Sequence, residues 1–271
     1  MAMIQTDAIR LHTQRLAPAD GRPATATAVL LHGLLTDSLA SYYFTVAHGL
    51  AAAGIDVVMY DLRGHGRSER PATGYHLDTF VSDLEGLLAG LEITGPVHLV
   101  GNSFGGTIAF GYADRHPERV AGLTLLESEP PTVSWAAKLG RILGRTAAEL
   151  DKHEADALAW ISTHRGAHTA RLAKSAARLV RTTTITQDIP ASRVMSEDRI
   201  RELRFPVTAV YGGDSDLAAQ AVWLESLLPH CRTVVVPGHE HSILVEVPAL
   251  ILDVVLSCVR QHTELAEADA R

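Results

Sequence analysis

Short apolar runs alternate along most of this chain with stretches whose apolar residues recur every three or four positions. Ala28–Leu31 is such a run and stops at His32-Gly33. Leu39, Tyr43, Val46, Leu50 and Ala53 then keep helical spacing until Gly54 closes the segment. Val57–Tyr60 reads as the next strand and ends at Asp61. Phe80, Leu84, Leu87, Leu88 and Leu91 share one helical face. Val97–Val100 is a third run, followed by a helix from about Gly105 to Arg115 that stops before Pro117. Val120–Leu126 is a fourth. Strands alternating with helices predict parallel crossovers, hence an α/β fold whose mostly parallel sheet is covered by helices on both faces.

The rhythm breaks between Pro130 and Arg204. That block offers no convincing strand. Trp135, Leu139, Ile142 and Leu143 fall on one helical face, and Leu158 and Ile161, then Leu172, Leu179 and Val180, suggest further helices. The alternation resumes with a strand at Val207–Tyr211, a helix at Ala218–Leu228, a strand at Thr233–Val236 and a final helix at Ala249–Gln261. The polar tail from Thr263 is expected to fray. Two regions follow: a core of residues 1–129 and 205–271, and a helical insertion of residues 130–204.

Composition narrows the class. The 271 residues are 46% hydrophobic and 20% charged, enough for a large core. The net charge of −7 argues against a nucleic-acid partner. The insertion differs, with 13 Lys and Arg against 8 Asp and Glu. A solvated basic face accounts for this, and so would a surface that attracts an anionic substrate or its carrier. No apolar run reaches the ~18–20 residues of a membrane helix. The segment Met1–Arg10 has no apolar signal core, so a cytoplasmic protein is expected. Cys231 and Cys258 fit no metal spacing and read by default as two reduced thiols.

Candidate chemistry centres on Gly101-Asn102-Ser103-Phe104-Gly105, set between the third run and the helix after it. A serine in that G-x-S-x-G context sits on a turn too sharp for side chains at the flanking glycines. The turn lifts the hydroxyl clear of the sheet and leaves the Phe104 N–H, first in the helix, without an intrahelical partner. This segment resembles the nucleophile elbow of the α/β-hydrolase superfamily. The resemblance extends over about Ala28 to Pro248. His32-Gly33-Leu34-Leu35 is similar to the family's oxyanion loop, which implies Leu34 and Phe104 as the two oxyanion N–H donors. Asp61-Leu62-Arg63-Gly64-His65-Gly66-Arg67-Ser68 is similar to a turn that organises the floor of the site in relatives, a mainly structural role.

Ser103 needs a base. His239 and His241 both follow the last strand. By resemblance, the catalytic histidine precedes the Glu of an E-x-P sequence by about five residues, and Glu246-Val247-Pro248 then favours His241, whereas a Gly-His dipeptide would favour His239. The acid is expected after Val207–Tyr211, in Gly212-Gly213-Asp214-Ser215-Asp216-Leu217. Asp216 matches the acid of relatives carrying G-x-x-S-D-L, with Asp214 as the alternative. Glu127, after the preceding strand, is a minor candidate, read more simply as a strand-end residue facing the lid.

The resemblance implies a serine hydrolase with a helical lid, cleaving esters, thioesters or lactones of largely apolar acyl groups through Ser103, His241 and Asp216, with Phe104 lining the substrate pocket. C–C bond hydrolysis and cofactor-free perhydrolysis are alternatives on the same residues, and a non-catalytic ligand-binding protein is another. No cofactor and no metal site is expected: His239 and His241 have no third ligand partner in view. The expected partner is a small-molecule substrate, with an acyl carrier protein or a coenzyme A thioester as carriers suited to a basic lid. No membrane partner is expected.

Overall fold

The computed structural model describes residues 2–269, with the backbone alone at 151, 154, 157, 158 and 262–269. The expectation placed on the Leu158 side chain therefore lies outside the described residues. Eight strands form one sheet: β1 (Ala2–Gln5), β2 (Arg10–Leu16), β3 (Ala26–Leu31), β4 (Ile55–Tyr60), β5 (Val97–Asn102), β6 (Val120–Leu126), β7 (Val207–Gly212) and β8 (Cys231–Val236). Their spatial order is β1-β2-β4-β3-β5-β6-β7-β8. From β4 to β8 every pairing is parallel, and β1 and β2 join the edge antiparallel.

The helices are α1 (Ala40–Tyr43), α2 (Ala47–Ala52), α3 (Leu77–Gly90), α4 (Phe104–Arg115), α5 (Val133–Thr182), α6 (Ile185–Asp188), α7 (Glu197–Arg201), α8 (Gln220–Leu227), α9 (Ile243–Glu246) and α10 (Pro248–Asp269). They divide the apolar core between the two faces of the sheet. Val29, Leu31, Val58 and Tyr60 pack with α3 and α4 on one side. Ala28, Leu30, Val57 and Met59 pack with α2 and α10 on the other. Strands buried on both faces must read as continuous apolar runs, and that is why the central strands were visible in the sequence.

The elements the sequence hid are the polar ones. β2 carries Arg-Leu-His-Thr-Gln-Arg-Leu and has no apolar run. It is held instead by specific pairs: Arg15 forks onto Asp56 at 2.8–3.1 Å, and His12 Nδ1 lies 2.7 Å from Asp61. The helix expected from Leu39 to Ala53 is two helices, because the Thr45 hydroxyl bonds back to the Ser41 carbonyl at 2.5 Å and disturbs the ladder between them. The separate helices expected after Pro130 lie within the span α5, where helical geometry breaks at His153 (φ −136°) and Gly166 (φ 84°). α10 continues to Asp269, beyond the expected end at Gln261, through a tail rich in the helix formers Glu and Ala. Among the described residues no helix is long and apolar enough to cross a membrane.

One ion pair fixes the loop after β4 to α3. Arg63 and Asp83 are 4% and 2% exposed and meet through two bonds of 2.6 Å, while Arg63 also donates to the Gly74 carbonyl at 2.7 Å. Removing one partner leaves a buried charge without compensation. Asp83→Ala is expected to lower unfolding stability by about 3–5 kcal/mol in a denaturant titration; a loss below about 1 kcal/mol would show that water reaches Arg63 freely.

Candidate active site

Ser103 stands at the junction of β5 and α4 with φ 52° and ψ −118°, a conformation that costs a non-glycine residue of order 1–3 kcal/mol. The surroundings impose it. The Ser103 N–H donates to the Leu126 carbonyl at 2.8 Å, and the Ser103 carbonyl accepts from the Ser128 hydroxyl at 2.7 Å and the Gly106 N–H at 3.0 Å. A Cβ at Gly101 would strike the backbone of Gly106, and one at Gly105 would strike the Leu31 and His32 carbonyls. Only glycine lets the strand, the turn and the helix come that close.

His241 reaches this serine. Its Nε2 lies 3.0 Å from Ser103 Oγ, and its Nδ1 lies 3.0 Å from Glu127 Oε2. The loop that carries it is tied to the end of β7: the Asp214 N–H donates to the His239 carbonyl at 3.0 Å, and the Gly213 N–H to Val236 at 2.8 Å. A side chain at Gly212 would collide with the carbonyls of His239 and Glu240, so β7 can approach this loop only at a glycine. His239 is engaged elsewhere, with Nδ1 2.8 Å from Glu246. The glutamate that served as a sequence landmark thus holds the other histidine.

The expected acid is corrected. Asp216 does not meet His241; Glu127 does. Glu127 follows β6, which lies between β5, the strand that leads into Ser103, and β7. It is fully buried, and three donors compensate its charge: His241, the Ser215 hydroxyl at 2.5 Å and the Gly212 N–H. In the loop after β7 it is Ser215, not either flanking aspartate, that turns toward this carboxylate. Asp214 and Asp216 sit exposed on the rim of the cavity. Asp216 was favoured over Asp214 in sequence by its match to G-x-x-S-D-L; the signal for Glu127 was a lone acid closing an otherwise apolar strand.

Leu34 and Phe104, the residues expected to supply the oxyanion donors, line the cavity together with Ser103. Phe104 opens α4, so its N–H has no carbonyl one turn behind it. In the loop after β3, the Gly33 N–H is taken by Asp37 at 2.7 Å and the Leu35 N–H by His65 Nε2 at 2.9 Å. The Leu34 N–H between them has no partner among the described residues. Asp37 also accepts from the Ser38 N–H, the Ser41 hydroxyl and Asn102 Nδ2, the last at 3.3 Å, and so ties this loop to the serine turn.

The cavity over Ser103 has a volume of about 590 Å³. Trp135, Leu139, Ile142 and Leu143 of α5 roof it, and Phe104 stacks on Trp135 with ring planes 10° apart. Trp160 of the same helical span is not among the lining residues and is half-exposed, stacked on His164. Inside, Lys138 pairs with the buried Glu129. Burial lowers the Lys138 ammonium from its ordinary value and Asp216 opposes that shift. Among the described residues no group of three or more His, Cys, Asp or Glu is placed to hold a metal.

The sequence model of the family described as alpha/beta hydrolase fold matches residues 28–181. A non-heme chloroperoxidase of Streptomyces lividans is 33% identical over 131 residues, 47% of this chain and 44% of that protein. A 2-hydroxymuconate semialdehyde hydrolase of Pseudomonas sp. (strain CF600) is 51% identical over 73 residues, 27% of this chain and 25% of that one. The chain thus matches less than half the length of either relative. A thermophilic esterase from Thermogutta terrifontis has the same fold, with a TM-score of 0.75 at 22% identity over 97% of this chain and 98% of that one.

Asp37 gives the site a pH signature. Burial alone would raise its carboxyl, but the donors Ser41, Gly33 and Ser38 hold it below the ordinary value. A carboxyl depressed in the folded state stabilises the fold above its unfolded pKa of ~3.9, and that stabilisation fades as pH falls through the lower folded value. Asp37→Asn should therefore be less stable than the parent at pH 7, with the gap narrowing below about pH 4. Denaturant titrations from pH 7 to pH 2.5 measure this; a gap that stays constant would contradict it.

Proposed function

Because more than half of this chain matches the family model, it belongs to the α/β-hydrolase family, and within that family we propose a serine hydrolase that transfers acyl groups to water. The observation that carries the reading is the unbroken line from Glu127 through His241 to Ser103, with 3.0 Å at each step. A serine, a histidine able to take its proton and a buried carboxylate fixing the other ring nitrogen are the parts that acyl transfer needs. The substrates are esters, thioesters or lactones with a largely apolar acyl group, in keeping with the apolar roof of the cavity. Residues 130–204 act as the lid.

Ser103 Oγ attacks the substrate carbonyl carbon while its proton passes to His241 Nε2. The carbonyl oxygen takes up negative charge as the C–O π bond opens. The N–H groups of Leu34 and Phe104 stabilise it, each by ~10²–10³ in rate. Glu127 keeps the Nδ1 proton on the ring and stabilises the imidazolium without accepting that proton. His241 then protonates the leaving group as its bond breaks, giving an acyl-serine. Water repeats the sequence, its proton going to His241 and its oxygen to the acyl carbon, and Ser103 is regenerated.

The rim bears on substrate choice. Asp214, Asp216 and Glu240 line it and disfavour an anionic group beside the scissile bond. A neutral ester or lactone is the reading this favours. A thioester on an acyl carrier protein or coenzyme A is the second, supported by Arg171, Lys174 and Arg178, exposed together on the last part of α5.

Variants on p-nitrophenyl esters of graded chain length test the reading. Ser103→Ala and His241→Ala should each cut kcat by ~10⁴–10⁶, and Glu127→Gln by ~10³–10⁴. His239→Ala and Asp216→Asn should stay within about threefold of the parent enzyme. If Asp216→Asn falls as far as expected for Glu127→Gln while Glu127→Gln is unaffected, the acid is misassigned; if Ser103→Ala retains turnover, so is the nucleophile.

A further inference from the structure

Two buried histidines, neither in contact with Ser103, lace together the loops after β3 and β4. His32 belongs to the first loop, and its Nε2 accepts from the Leu62 N–H of the second at 2.9 Å. His65 belongs to the second, and its Nε2 accepts from the Leu35 N–H of the first at 2.9 Å. Each ring gives its Nδ1 proton to a carbonyl of its own loop, His32 to Gly33 at 2.7 Å and His65 to Arg63 at 2.8 Å. The rings touch edge to face at 5.3 Å between centroids. An imidazole that accepts at one nitrogen and donates at the other is neutral, so the contact requires both rings uncharged. Their 0% and 2% exposure agrees, and for His65 burial pushes the pKa down to about 3.

Leu35 is where this pairing acts. Its φ is 65°, the left-handed region that a leucine enters only under constraint. The bond to His65 supplies the constraint, and Asp37 fixes Gly33 on the other side. Held at both neighbours, Leu34 lines the cavity with an N–H that has no partner among the described residues.

We propose that His65 is a positioning residue for the oxyanion site: by accepting from Leu35 it fixes the direction of the Leu34 N–H, and His32 closes the same clasp from the opposite loop. The inference rests on the serine-hydrolase reading above. Neither His32 nor His65 is among the residues that line the cavity. Loss of the clasp should therefore weaken binding of the tetrahedral anion and leave substrate binding nearly unchanged.

The test uses the full chain with His65→Met and His65→Gln, the second offering an amide oxygen where Nε2 accepts. For His65→Met, kcat on a p-nitrophenyl ester should fall ~30–300-fold with KM within about threefold, and affinity for an alkylboronic acid, which forms a tetrahedral anion on the serine, should fall by a similar factor. His65→Gln should recover at least ten times the kcat of His65→Met. A His65→Met enzyme that folds with unchanged kcat and boronate affinity overturns the proposal, as does a loss confined to KM. Should the methionine variant fail to fold, ¹⁵N NMR of the parent protein decides. His65 must carry its proton on Nδ1 and stay neutral from pH 5 to 8, whereas an Nε2–H tautomer could not accept from Leu35 and would refute the clasp. If the parent enzyme neither turns over esters nor binds the boronate, the hydrolase reading fails on its own and the tautomer still judges the clasp.

Discussion

A single backbone conformation underlies the rest of this protein. Ser103 must hold a positive φ between a strand and a helix, and the chain around it is arranged so that it can do nothing else. Glycines at 101 and 105 admit the neighbouring backbone, Leu126 and Ser128 bind the serine's own amide and carbonyl, and the sheet fixes where β5 ends. The strain is thereby met by many ordinary contacts. In return the hydroxyl is held within 3.0 Å of His241, and the first N–H of α4 follows directly after it with no intrahelical partner.

The other functional groups arrive at that spot because parallel strands end together. β5, β6 and β7 are neighbours, and their carboxyl ends carry Ser103, Glu127 and the loop that anchors His241. Acids follow both β6 and β7, and only the one after β6 meets the imidazole. Here Glu127 has the longer side chain and the buried position, with Ser215 and Gly212 donating to it from the β7 side. The aspartates of that loop are left to shape the field at the rim.

This explains what could be read from the chain itself. Continuous apolar runs mark the strands buried on both faces, and the helices between them follow by periodicity, so the central architecture was legible. The serine turn was legible because its steric demand leaves glycines at fixed positions. His241 was separable from His239 only by a resemblance, and the structure gives the physical reason: Glu246 binds one and Glu127 the other. Glu127 was undervalued because a single strand-end acid carries no local pattern, and its role comes from strand order, a long-range property. β2 was missed for a related reason, since its stability comes from Arg15 and His12 pairing with partners more than forty residues away and not from an apolar run.

The account stands on Ser103 being an activated nucleophile. Treatment with a fluorophosphonate, followed by peptide mapping by mass spectrometry, examines that state directly, because only a hydroxyl with a base in reach and amides opposite forms the phosphonyl ester readily. The account predicts one adduct per chain, on Ser103. An unmodified chain, or an adduct on any other residue, would contradict it.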